Sequence, residues 1–215
     1  MGRISVATSA DAHDVTVLRK LAFAYADQFR MTDDSGLEWG EEDQSGIVTA
    51  AWNDAGEIVS TTRGEVITDQ RHAERKMMST VPLGDEAFPS LLLTRGATRD
   101  GYGKTGLHSA LRYYFIDAAL NAGFASMLGL VYEGAPRIRL MEQIGYDLVP
   151  AARNWEKEAE ILARPLVACL PRDRMRAALE TLRAMVGPAL DSFPWTGPRL
   201  VINSPGTLFA NPGRI

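Results

Sequence analysis

The chain has 215 residues, 46% hydrophobic and 23% charged, a balance that supports a packed core and excludes a disordered polymer. Its net charge of −4 lacks the basic surplus of a nucleic-acid-binding domain. A single cysteine, Cys169, excludes an internal disulfide, and no apolar run reaches the ~20 residues of a membrane helix. The N-terminal MGRISVATSADAHD has no apolar signal-peptide core, so a reducing compartment, the cytoplasm, is the expected setting. The length fits one domain over 1–215, with no long linker.

Between Asp14 and Arg30, Val17, Leu18, Leu21, Ala22, Tyr25 and Phe29 share a helical face, with Arg19, Lys20, Asp27 and Gln28 elsewhere. The pattern predicts an amphipathic helix capped near Asp11 or Asp14. An acidic stretch, 32–45, follows, with Trp39 isolated inside it. Gly46–Asn53 and Glu57–Ile67 are β-rich runs joined by Asn53, Asp54, Ala55 and Gly56, which predicts a hairpin. Residues 69–87 are charged and predict a loop or short helix; Ser90–Thr94 predicts a short buried strand.

A glycine-rich turn, Arg99 to Gly106, then opens a helix that runs to about Asn121 and stops at Gly123. Ser126–Tyr132 predicts a second buried strand, Pro136–Ile144 a helix ended by Gly145, and Tyr146–Val149 a strand. Arg164–Leu170 follows as a strand and Arg172–Met185 as a helix. The tail from Ser192 is rich in Pro and Gly, with one β-like run, Arg199–Ile202. An early hairpin beside later strand–helix alternation predicts an α/β (α+β) fold with a mixed, largely antiparallel sheet flanked by helices.

Two chemistries use a strand, a glycine turn and a helix. In both, unpaired N–H groups at the helix start, aided by its dipole, favour a phosphate. The first is a nucleotide P-loop: Gly103-Lys104-Thr105 supplies its last three residues, but its first glycine would fall on Thr98. The second is a diphosphate loop. From Ser90 to Tyr146 the chain resembles the GNAT acyltransferases: Arg99 to Leu111 is similar to their R/Q-x-x-G-x-G/A loop and the helix after it. Arg139 to Tyr146, RLMEQIGY, is similar to their L-Y-E-K-L-G-F signature, and Met141 takes the place of its tyrosine. His108 takes the small second position of the loop, and resemblance thins across a divergent extension, 150–215.

A second resemblance is to the acyl-homoserine-lactone and N-acyl amino acid synthases. It rests on Arg19 and Phe23, on Glu41-Glu42-Asp43 after Trp39, on Arg63 and on Thr94-Arg95. Leu92 stands where that branch has a glutamate. Together the resemblances imply transfer of an acyl group from a pantetheine thioester, on CoA or an acyl carrier protein, to the amine of a small molecule such as an amino acid. No tightly bound cofactor is implied. The donor arm would lie along the strand carrying Gly96, Ala97 and Thr98, with its diphosphate on Arg99, Gly101, Gly103, Lys104, Thr105, Gly106, Leu107 and His108.

Strand alternation places Glu65 on the face of Arg63, which makes it the candidate base. Tyr132 is the candidate acid in place of the absent tyrosine, and Arg95 the candidate anchor for an acceptor carboxylate. His13, His72 and His108 lack metal-ligand spacing, and Cys169 lies in an apolar setting as a structural thiol, so no metal and no cysteine nucleophile is expected. A monomer or homodimer is expected. A non-catalytic binding module on the same scaffold stays open beside the transferase and P-loop readings.

Overall fold

Among the described residues, seven strands form one sheet with helices on both faces. In the computed structural model, which describes residues 1–24, 35–152 and 163–203, the order is β1-β2-β3-β4-β5-β7-β6. The strands are β1 (Arg3–Val6), β2 (Ile47–Trp52), β3 (Ile58–Ile67), β4 (Ser90–Thr98), β5 (Ser126–Tyr132), β6 (Asp147–Pro150) and β7 (Pro165–Pro171). Every neighbouring pair is antiparallel except β4 and β5, which are parallel. This is the mixed, largely antiparallel sheet expected from the sequence.

The helices are α1 (Ala12–Ala24), α2 (Glu41–Ser45), α3 (Gln70–Met77), α4 (Leu107–Ala122), α5 (Ile138–Gln143) and α6 (Arg172–Ser192). Helices α4, α5 and α6 cover one face of the sheet. There Phe115, Ile116, Met141 and Leu182 pack on Leu91, Met127, Val131 and Leu170. Helices α1 and α3 cover the other, with Val15 and Leu18 against Val48 and Ala50, and Ala73 and Met77 against Ile67 and Leu92. Helix α4 buries Leu107, Ala110, Leu111, Phe115, Ile116 and Ala119, which recur at three- and four-residue steps with adjacent pairs between and so form one stripe.

Four expectations need correction. The buried stripe of α1 is Val15, Leu18 and Arg19, whereas Val17 and Leu21 are exposed. A buried carboxylate waits for Arg19, so the helix turns its cation inward; Tyr25 and Phe29 lie outside the described residues. Strand β4 runs to Thr98, four residues beyond its apolar half, because its polar half lines a cavity. Helix α6 continues past Met185 to Ser192 across a kink at Val186, two residues before Pro188, which has no N–H for the helical ladder. Residues 199–202 form no strand; instead the segment Pro194–Thr196 pairs with Ile4 of β1, a strand too short to stand out in the sequence. The Cys169 thiol is buried, as its apolar setting suggested.

Sheet and helix pack closely at Gly64 of β3, where a methyl group would overlap the Phe115 ring, itself fully buried. Gly64→Ala is therefore expected to cost about 1–3 kcal/mol, and Gly64→Ala with Phe115→Leu to recover part of that loss. Thermal unfolding of the two variants checks this.

Candidate functional site

The site begins where β4 bulges against β3 and leaves β5. Across β3, Thr61 pairs with Ala97 and Arg63 with Thr94, so β4 carries one residue more than β3 in this interval. That is a β-bulge, and Arg95 within it takes φ 52, a left-handed conformation that costs a non-glycine residue ~1–3 kcal/mol. On the other side, pairing with β5 lasts from Ser90–Ser126 to Leu93–Gly129 and stops. The two strands then part. A cavity of about 680 Å³ lies at the gap, lined by Thr94 to Thr98 of β4 and by Leu130 and Tyr132 of β5.

On the α1 and α3 side, six charged groups interlock. Arg19, fully buried, grips Asp43 with two hydrogen bonds of 2.6 and 3.0 Å. Arg63 meets Glu42 at 2.7 Å, Glu65 at 2.6 Å and Asp43 at 3.6 Å; Lys76 meets Glu42 at 2.9 Å and Glu65 at 2.8 Å. Three cations thus face three carboxylates. Burial opposes ionisation of Asp43, but the Arg19 hydrogen bonds and charge, the Gly40 N–H and Arg63 outweigh it and hold its pKa below the ordinary 3.8. Glu42 is held below 4.5 in the same way, against its burial, by Lys76 and Arg63.

Arg95 lines the cavity beside this network, and among the described residues no carboxylate pairs with it. Burial, then the charges of Arg63 and Arg19, lower its pKa, which is the signature of a cation short of counter-charge. Glu65 is placed with Arg63 on one strand face, as alternation required. Its carboxylate is taken up by Arg63, Lys76 and the Thr94 hydroxyl, and it does not line the cavity. With its oxygens so engaged and outside the cavity lining, Glu65 is not placed beside a group bound in the cavity. Tyr132 is buried and lines the gap.

Gly96, Ala97, Thr98 and His108 line the cavity; Arg99 through Leu107 do not. Within the loop, Arg99 pairs with Glu57 at 3.2 Å, and the N–H groups of Gly101, Tyr102 and Thr105 have acceptors in the loop itself. Leu107 is buried in the core. Gly103 and Lys104 are exposed, and Gly106 reaches φ 79 to turn the chain into α4. Among the described residues, the N–H groups of Lys104, Gly106, Leu107, His108 and Ser109 have no protein acceptor. The open donors are therefore those of the first turn of α4 together with Lys104 and Gly106, an arrangement that can take an anion and a shorter stretch than the sequence implied.

The His108 ring lies against Gly96, where any side chain would overlap it. Burial, then Arg112 and Arg137, push its pKa down to about 3, so the imidazole is neutral. The P-loop expectation fails here: the Thr105 hydroxyl donates to the Tyr102 carbonyl at 2.8 Å, and β4 sits in an antiparallel pair with β3 rather than in a doubly wound parallel sheet. Sequence reasoning missed Lys76, Arg112 and Arg137, which all line the cavity. Arg112, four residues after His108 on an otherwise apolar helix face, was the signal available.

Because Asp43 and Glu42 titrate lower folded than unfolded, the stability they supply is complete above the unfolded values and drains away as pH falls through the folded ones. The melting temperature is expected to be level near neutrality and to decline below about pH 5. Asp43→Asn leaves Arg19 buried without a counter-charge and is expected to cost about 3–5 kcal/mol. Melting curves across pH for both proteins check this, and the variant's curve is expected to be flatter in acid.

No protein-family model matches this sequence, and no curated protein matches it. Solved structures do. Similar ones include the ribosomal-protein-S18-alanine N-acetyltransferase from Escherichia coli, at TM-score 0.57 and 18% identity over 80% of this chain and 94% of that one. The putative acetyltransferase yncA from Salmonella typhimurium, with its cofactor acetyl-CoA, aligns at TM-score 0.56 and 16% identity over 80% and 95%. BjaI, a CoA-dependent acyl-homoserine lactone synthase, aligns at TM-score 0.58 and 15% identity over 93% of this chain and 96% of its own. At these identities the likeness is one of fold, and the fold of this chain is that of the GNAT acyltransferases.

Proposed function

We propose that the chain transfers an acyl group from a CoA thioester to the amine of a small molecule. The parting of β4 from β5 supports this most directly, since it leaves backbone N–H and C=O groups of both strands open to an extended donor arm. The open amides at the start of α4 lie where a diphosphate can follow that arm out. The similar structures described with acetyl-CoA and with an acyl-CoA share this fold.

In the reaction, the amine nitrogen attacks the thioester carbonyl, and the resulting tetrahedral oxyanion is held by strand N–H groups at the bulge. The nitrogen releases one proton to solvent and the intermediate collapses with cleavage of the C–S bond, giving an amide and a thiolate. Tyr132 is the donor we assign to that thiolate, because Met141 cannot supply a proton. Among the described residues Glu42 is the carboxylate of the cavity lining; it draws in the acceptor as an ammonium, which gives its extra proton to solvent before the neutral amine attacks. Glu65 positions Arg63 and Lys76 around Glu42. Arg95, left over by the balanced network, receives an acceptor carboxylate such as that of an amino acid. An acyl carrier protein would present the same thioester arm to the same gap.

The non-catalytic reading keeps one observation on its side, the Met141 side chain in place of a tyrosine. Thermal shift and thiol release separate the readings. Free CoA at about 100 times its Kd is expected to add ~2.7 kcal/mol, near 5–10 °C, while ATP with magnesium adds nothing. Acyl-CoA with an amine panel is expected to release thiol; CoA binding without release from any CoA or carrier-protein donor would select the binding module. Arg95→Ala is expected to raise KM for a carboxylate-bearing acceptor about 10–100-fold and leave the donor KM unchanged.

A further inference from the structure

One side chain, that of His108, bridges the two features on which a donor arm depends. His108 is the second residue of α4, inside the turn whose amides are open, and its ring reaches across to β4. There the ring tip, Cε1 with a nitrogen on either side, rests where a side chain on Gly96 would stand; Nε2 and Nδ1 lie 3.2 and 3.3 Å from that point. Gly96 has no left-handed φ that would call for a glycine. Its missing side chain therefore serves the ring and not a turn.

Both ring nitrogens are unused. Among the described residues neither has a hydrogen-bond partner, and neither is closed off, since the side chain is partly exposed and lines the cavity. The ring is also uncharged, because burial, then Arg112 and Arg137, push it down to about 3. A neutral imidazole offers one N–H donor and one acceptor nitrogen.

A phosphate answers only half of that pair. Its oxygens accept, so a phosphate on the ring would leave the acceptor nitrogen facing a lone pair. The open amides of the first turn already supply donors and a helix dipole for a diphosphate. Resting on the acyl-transfer reading, the groups that follow the diphosphate of the donor are a hydroxyl and a secondary amide. Each has a proton to give and an oxygen to accept. An arm that runs from the α4 amides to the open edge of β4 passes the ring that spans them. We propose that His108 binds the uncharged arm of the donor, one ring nitrogen donating to an oxygen of the hydroxyl–amide segment and the other accepting its O–H or N–H. The resemblance to known loops put His108 on the diphosphate; its geometry moves it one step down the arm.

Calorimetric titration of CoA and phosphopantetheine, with pantetheine read by displacement of CoA at millimolar concentration, tests this in wild type, His108→Leu and His108→Gln. Leucine keeps bulk over Gly96 without donor or acceptor, and glutamine restores both. His108→Leu is expected to weaken all three ligands by one shared factor of about 10, and His108→Gln to recover part of it. A loss confined to the two phosphorylated ligands overturns the proposal and returns the ring to the diphosphate. Wild-type or tighter binding by His108→Leu overturns it too, and makes the ring a packing element or an obstacle. Pantetheine that does not displace CoA from wild type overturns it without reference to any variant's folding. Failure of CoA itself to bind wild type sinks the acyl-transfer reading instead, and the role of His108 with it.

Discussion

Four residues of parallel pairing hold β4 to β5, and the cavity exists because the pairing stops there. Up to Leu93 and Gly129 the strands exchange hydrogen bonds; beyond them the bulge at Arg95 bends β4 away toward β3. A sheet that parts in its middle exposes main-chain groups that would otherwise be buried and paired, a costly condition unless something occupies the opening. The left-handed backbone of Arg95 is further strain at the same point. Both costs fall where an extended ligand could restore the missing strand contacts.

Charge is distributed about that opening with a clear asymmetry. On the α1 and α3 face, Arg19, Arg63 and Lys76 are matched by Asp43, Glu42 and Glu65, and the closest contacts are 2.6 Å. That network is rigid and self-contained, which suits it to shaping a wall and leaves Arg95 as the spare cation. On the α4 and α5 face, Arg112 and Arg137 meet no carboxylate among the described residues; Arg137 donates to the Leu130 carbonyl, and His108 stays neutral beside them. Buried ion pairs contribute modestly to stability once desolvation is counted, but a lone buried cation is unfavourable until a ligand answers it. Arg95, which lines the cavity with no carboxylate partner among the described residues, is therefore where ligand charge is best accommodated.

The sequence showed the hairpin at Asn53–Gly56, the helix between Gly106 and Gly123, and the strands Ser126–Tyr132 and Pro165–Pro171 within a residue or two, because each has a strong local signal. It hid what depends on distant partners. Arg19 looks like a surface residue until Asp43, 24 positions on, is folded beneath it. Lys76 lies in a stretch that carries no strand and little apolar periodicity, yet α3 swings it onto Glu42 and Glu65. Arg112 on α4 and Arg137 just before α5 line one cavity only because both helices pack on the same face. Glu65 was placed on the right strand face, but its neighbours turn it into an anchor for cations.

Amide hydrogen exchange with and without CoA tests the central claim most directly, since it reads the opening and the α4 start together. Slower exchange is expected in Arg95–Thr98, Lys104–Ser109 and Leu130–Tyr132, with β1 and α6 unchanged. CoA binding that leaves those three segments exchanging as before would contradict an acyl donor lying between β4 and β5.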